Sequence, residues 1–556
     1  MAEFFDAFYE KFLPDDVRIM SWCPTADLLL LVSPEDTISL YRTHPKASKI
    51  WSLKTVTRSI IKLVTWCPNG KEVVIGYEDG SVNRVNAAYH SPELVPCWTP
   101  NSDDLSPAPV TSLVWIHFEF TKKHMNIEGF DADAFDLESA LPQLSQKVPA
   151  EPIPLIPTMK KRKIQLPLKP TQSVEKQTLL FIGNAKGQIQ IILNGIFPIG
   201  SVNIHEDKLD PIVLNISVPD DISSVQVLTK SGKKDNNFVL HVVDINILEK
   251  MKEQILSISK IQTELNYLLD YTTLNLSVLE RHHESYCKRT MKIATKAADY
   301  MEQENDQANA MPEVELTGTL AIGSVTENLR PYFEEFLTTQ NIKIIDANVT
   351  FSYQNSLRLI CEHILPACER MQLELSKLMG YSLWTQRYGD FLETDSVQSS
   401  IDHFSDLIAR LHEFASDLNH LATTFQAFIK WITMITIKVS DDDSSVEAQN
   451  ESSLCEDPEL VLEFLNKDFI KDSLSEYFVP QTPKKANAET LSDLLTKAKQ
   501  SYYKMLKKPS DTLSEQIVVT SKVFFVLKGI LLDQQPRDNV ISITTVSALN
   551  QSQNER

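Results

Sequence analysis

The side chains best equipped for chemistry are few and scattered. His282-His283-Glu284 would offer a metal two imidazoles and a carboxylate, but no second ligand set stands at helical spacing, and the trio reads as a solvated helix face. Cys361 and Cys368, on one helical stripe, read as core thiols rather than a zinc pair. His403, His412 and His420 are strung along a single helix at spacings that do not converge. The sequence has no phosphate-cradling GxxxxGK, no GxGxxG after a strand, no HExxH and no GxSxG. With no acid, base, nucleophile, cofactor cradle or ligand set assembled, the expectation is a protein without catalytic activity, metal or cofactor.

Two short motifs point to modification or transport instead. Thr482-Pro483-Lys484-Lys485 carries the proline and following bases favoured by cyclin-dependent kinases, and a phosphate on Thr482 would add about two negative charges beside lysines. A plain turn is the other reading. Lys160-Lys161-Arg162-Lys163 is either a nuclear import signal or a solvated lead-in to a strand.

Among the elements that must position these residues, the clearest is Ile401 to Lys438. Its apolar residues step by threes and fours through Phe404, Leu411, Leu418, Phe425 and Ile432, with a second seam through Leu407, Phe414, Leu421, Phe428 and Ile435. At about 1.5 Å per residue this predicts a rod roughly 57 Å long. Asp395 with Gln398 is expected to cap it. A helix apolar over that width needs partner helices on more than one side.

Composition bounds the rest. The 556 residues suffice for about two to four domains. An apolar fraction of 42% supports real cores, and a net charge of −20 argues against a general nucleic-acid binder and against docking on anionic membrane. Seven cysteines without a CxxC pair fit a reducing compartment. The first sixteen residues lack a signal-peptide core, and the longest apolar run, Phe425 to Ile437, is too short to span a bilayer and contains Lys430. A soluble, intracellular protein is expected.

Residues 1–244 read as β-structure with an internal repeat. Trp22-Cys23-Pro24 recurs as Trp66-Cys67-Pro68, 44 residues later, and a third partial copy places Gly183 and Gly187 where Gly76 and Gly80 stand. Strand, turn, strand, acidic-glycine turn, strand at that period predicts WD40-like propeller blades, against a β-sandwich with two similar hairpins. The third blade is interrupted near 119–178 by a segment read as a mobile surface loop. Periodicity then changes to 3.6. Residues 245–440 are expected to form a long antiparallel four-helix bundle, with an acidic flexible join around Glu302 to Glu315, a short helix from Pro331, and a kink at Pro366 in a helix from Ser352 to Met379. Residues 441–455 read as an acidic disordered linker, 456–517 as short helices and a loop, and 518–556 as a residual β-like tail.

Blades opening with Trp-Cys-Pro, the helical module, Phe425 to Trp431 (FQAFIKW), the acidic stop Ser440 to Asp443 and the later Val461 to Leu465 together resemble the anaphase-promoting complex (cyclosome) subunit 4 family. The similarity covers roughly residues 15 to 515. It implies a multidomain β + α protein without activity of its own, a platform in a multi-subunit cullin-RING ubiquitin ligase that controls mitotic progression. The implied partners are the large subunit 1, subunit 5 and, indirectly, the cullin-RING module, with no nucleic acid and no membrane, in nucleus and cytoplasm. Phe425, Phe428 and Trp431 carry over as family-typical bundle positions. The family places further blades after the helices, whereas only about 40 residues follow Glu515, so the propeller is expected to be incomplete. The competing architecture is a propeller-plus-helix coat or tethering protein of membrane traffic.

Overall fold

The computed structural model describes residues 12, 16–118, 141–152, 166–167 and 177–526, except 45–47, 55–58, 88–93, 100–107, 142, 146, 148, 205–210, 220–222, 232–236, 305–310, 389–390, 441–454 and 480–488. Four antiparallel sheets of four strands each open the chain. The first is β1 Ile19–Trp22, β2 Leu28–Val32, β3 Thr37–Arg42 and β4 Ser48–Lys54, and the second is β5 Ile61–Trp66, β6 Glu72–Tyr77, β7 Val82–Asn86 and β8 Val95–Trp98. The third holds β9 Val110–Phe118, β10 Gln177–Asn184, β11 Gln188–Leu193 and β12 Phe197–Asn203. In the fourth, β13 Ile212–Ser217, β14 Ser224–Ser231 and β15 Asn237–Asp244 pair with β16 Val518–Val526, which lies beyond the whole helical region. Asp244 stands opposite Val518, so the helices enter and leave through one hairpin of this sheet.

The first strands β1, β5, β9 and β13 neighbour one another in turn, and the sheets stack face to face through separate apolar layers. The repeat residues explain the stacking. A Cβ on Gly76 would lie 2.8 Å from Val110 Cγ1 of the next sheet, and one on Gly183 would lie 2.6 Å from Val213 Cγ1, so both glycines let sheets approach. Gly80 closes the β6–β7 hairpin at φ +82°. Its counterpart in the first sheet is Asp36 at φ +58°, whose carboxylate accepts the Ile61 N–H at 3.1 Å and pairs with Arg18, tying sheet to sheet. Among the described residues no strand pairs the fourth sheet with the first.

Three rods form the helical region: α1 Lys252–Glu304, α5 Thr394–Ser440, and a continuous run in which α3 Thr339–Arg358 passes through a π-helical Leu359–Ile364 into α4 Leu365–Leu383. Between α1 and α3 lie α2 Pro312–Ile322 and a single π turn, Tyr332–Phe336. The expected short helix from Pro331 is therefore that one turn, and Glu313 and Glu315 belong to α2 rather than to a flexible join. The fourth side of the expected bundle is filled from later in the chain. α7 Leu491–Met505 packs along α5 and reaches α1, while α6 Pro458–Lys467 packs on α5 and α2. α8 Lys507–Glu515 then lies against β12, where Ser514 Oγ accepts the Ser201 N–H at 3.0 Å.

Three local expectations change. α5 begins at Thr394, so Asp395 sits inside the first turn and Gln398 donates to Asp402 instead of closing a capping box. Pro366 lies inside that continuous run, directly after the π-helical Leu359–Ile364, and the break in the regular ladder that its missing N–H requires falls at this π segment. That segment also breaks the helical stripe: Cys361 faces solvent while Cys368 is buried, so only one of the pair is a core thiol.

The insertion in the third sheet departs most from expectation. Its described residues 141–152 lie against α1 and α4, with Pro149 buried and Leu144 packed on the main core. This part is docked, not a free surface loop.

Candidate assembly surface

The aromatic run of α5 faces inward. Phe425, Phe428 and Trp431 are all buried, and the helix period sets the first two on the stripe that meets α6. Phe428 lies 4.8 Å from Phe464 and 5.8 Å from Phe469, ring centre to ring centre, and Phe425 lies 5.8 Å from both Phe464 and Tyr353. These residues hold α6 and the turn after it onto the rods.

Below α6 the attachment turns polar. His283 Nε2 stands 2.6 Å from Asp472 Oδ2, and its ring packs 4.3 Å from Phe478. The Tyr477 hydroxyl donates to Asp417 at 2.6 Å, and Arg410 pairs with Glu476 at 3.0 Å while lying 4.0 Å over the Tyr477 ring. His282 and His283 are buried, so the trio with Glu284 is not a solvated face. Adjacent residues on a helix point about 100° apart, which lets His283 meet the 472–478 turn and His282 meet residues 149–151.

Beside His283 a cavity of about 10 Å³, room for one water, is lined by Tyr286, Tyr353, Asp468 and Asp472. Among the described residues the buried Tyr286 and Tyr353 hydroxyls have no hydrogen-bond partner, and a bridging water would satisfy both. Burial raises the Asp468 carboxyl above its ordinary range, with the Asp472 charge adding and bonds from Ser473 opposing. Among the described residues no group of three or more His, Cys, Asp or Glu is placed to hold a metal ion, and no helix is long and apolar enough to cross a membrane.

What remains available for partners is exposed apolar surface. α2 is apolar on both faces: Leu316 and Thr319 are buried, yet Val314 is 59% and Ile322 73% exposed, and a side chain on Gly318 would meet open space. Leu383 and Trp384 stand out where α4 ends, with the Arg387 guanidinium 5.1 Å over the indole. In the first sheet Trp22 is 58% exposed, whereas its repeat-mate Trp66 is 6% exposed and donates its indole N–H to Ser21 at 3.2 Å across the sheet interface. The alternation that buries one indole leaves the other, with Met20, on an outer face without a covering sheet among the described residues.

Sequence reasoning did not find the role of Asp472, Tyr477 or Phe478, because a single acid or aromatic in a short segment carries no periodic signal. The import candidate Lys160, Lys161, Arg162 and Lys163 and the phosphorylation candidate Thr482 lie outside the described residues.

Comparison with known proteins gives matches in both regions. The family model "Anaphase-promoting complex subunit 4 WD40 domain" matches residues 20–117, and the model "Anaphase-promoting complex, cyclosome, subunit 4" matches residues 239–442. The anaphase-promoting complex subunit 4 of Homo sapiens is 21% identical over 467 residues, 83% of this chain and 55% of that protein. The one from Schizosaccharomyces pombe is 19% identical over 469 residues, 83% of this chain and 62% of that protein. This chain thus spans just over half the length of such relatives. A solved structure of Sqt1 from Chaetomium thermophilum aligns with 40% of the chain at 10% identity and a TM-score of 0.23, which carries no weight for the fold.

Proposed function

We propose, from the premise that this chain belongs to the anaphase-promoting complex (cyclosome) subunit 4 family, that it is a subunit of that complex and serves there as a non-catalytic platform. The observation that carries the reading is that the sheet segment and the helical segment each match models of one and the same subunit, in the same chain. The three apolar patches support it, because a platform works by burying area on several neighbours at once rather than by pocket chemistry. The partners in this reading are the large subunit 1 and subunit 5, and through them a cullin-RING module, in nucleus and cytoplasm.

The test is the native mass and company of the tagged full-length protein in cell extract. Migration on the megadalton scale with cullin and RING subunits is expected. A lone 63.1 kDa species, or an intact ligase after depletion of this chain, would overturn the reading.

A further inference from the structure

α2 carries two apolar stripes where a surface helix needs one. Leu316 and Thr319 face the protein interior, with Leu320 packed on the main core. Met311, Val314, Ala321 and Ile322 form the second stripe, at steps of three and four that pass through Gly318, and all four are exposed. A helix apolar on both faces is covered on both when it is at work.

The outer strip has a shape as well as a composition. A Cβ on Gly318 would meet nothing within 4 Å, so the helix backbone is bare there, with Val314 and Ile322 one turn away on either side. Both of those side chains are branched and stiff at χ1, so covering them costs little rotamer freedom. A bare glycine between two such walls is a notch for one large apolar side chain of a crossing helix, and it allows an approach at the short end of the usual range of about 8–10 Å. Gly323, at φ +76°, ends α2 with its N–H on the Thr319 carbonyl at 2.9 Å, so the strip is already in helical form.

Charge selects the occupant. Between Lys296 and Arg330 the sequence has seven acidic residues and no basic one. The two bounding bases are engaged with acids, Lys296 with Asp299 and Arg330 with Glu334, both at 2.9 Å. On α2 itself, one buried carboxylate oxygen of Glu313 has no hydrogen-bond partner among the described residues. A second copy of this chain, with a net charge of −20, would bring acid to acid, and an anionic lipid surface would do the same.

We propose that the outer strip of α2 is a docking site for an amphipathic helix of a neighbouring subunit, which seats a large apolar side chain in the Gly318 notch and carries lysine or arginine on its flanks. The proposal rests on the assembly reading and names the chemistry of one neighbour.

The test places a photoreactive residue at position 322 of the tagged full-length chain, in the assembly recovered from cell extract. A cross-link to another subunit is expected, in a segment with apolar steps of three and four and basic flanks. Cross-links to lipid, to a second copy or within this chain alone, or none at all, would overturn the proposal. Gly318→Leu and Ile322→Lys should each lower recovery of the cross-linked subunit about tenfold or more. The Tm of the purified Gly318→Leu chain should be unchanged or higher, because leucine is the better helix former and has room, which separates a lost interface from a damaged fold. Unchanged recovery with both variants refutes this surface and leaves the assembly reading standing, whereas a wild-type chain that enters no large assembly refutes both.

Discussion

Truncating Phe428 to alanine tests how α6 is held. Phe428 is buried on α5, and its ring packs on Phe464 and Phe469, two of the main apolar anchors of the 458–469 segment. Removing a buried phenylalanine costs about 3–5 kcal/mol when the site cannot collapse, and the rods around it limit collapse. Because the missing ring lies between α5 and α6, most of that loss should appear as easier detachment of α6. At about 1.4 kcal/mol per decade, even 3 kcal/mol raises the open fraction roughly 150-fold. Native-state amide exchange of a peptide covering 458–469 reads this directly, with peptides from the first sheet as an internal reference. Leu462→Ala is the control: Leu462 is exposed on the same helix, and its truncation should change exchange by less than about threefold. If Phe428→Ala and Leu462→Ala loosen α6 equally, the aromatic anchor is not what holds it.

Other perturbations follow from single contacts. Gly183→Ala would press a methyl to 2.6 Å from the stiff, buried Val213, which should cost about 1–3 kcal/mol and lower the denaturant midpoint, with an unchanged midpoint refuting the close-approach role. Burial holds the His282 imidazole below its ordinary pKa, with the adjacent Arg281 charge acting the same way and the Ala150 bond opposing. The folded state then refuses a proton that the unfolded chain accepts near pH 6.5, so this stabilising term is full above that pH and is lost as pH falls toward the depressed value. Urea midpoints at pH 7.5 and 5.5 should diverge less in His282→Gln than in the wild type, and equal divergence would refute the assignment. Burial pushes the Cys368 thiol up to about 12, whereas Cys361 is exposed, so native alkylation at pH 8 should mark Cys361 and leave Cys368 unlabelled; labelling of both would contradict the offset introduced by the π segment.

Local repetition was legible without any coordinates. The Trp-Cys-Pro repeat and the paired glycines marked the sheets because turn geometry and sheet spacing act on neighbouring residues, and the three-and-four stepping of α5 marked its buried stripe for the same reason. FQAFIKW and its acidic stop, taken with the Trp-Cys-Pro blades, the helical module and the later Val461 to Leu465, pointed to the family.

Tertiary structure alone decided what each stripe meets. No periodicity could say that β16 completes a sheet begun about 300 residues earlier, that His282 and His283 face two different segments, or that the described residues between 141 and 151 lie along α1. Those pairings join residues over 100 apart in sequence, and their free energy comes from desolvating both partners together. A string of residues records each partner's chemistry but not the meeting, and the meeting is where Trp66 becomes interior while its repeat-mate Trp22 stays a surface.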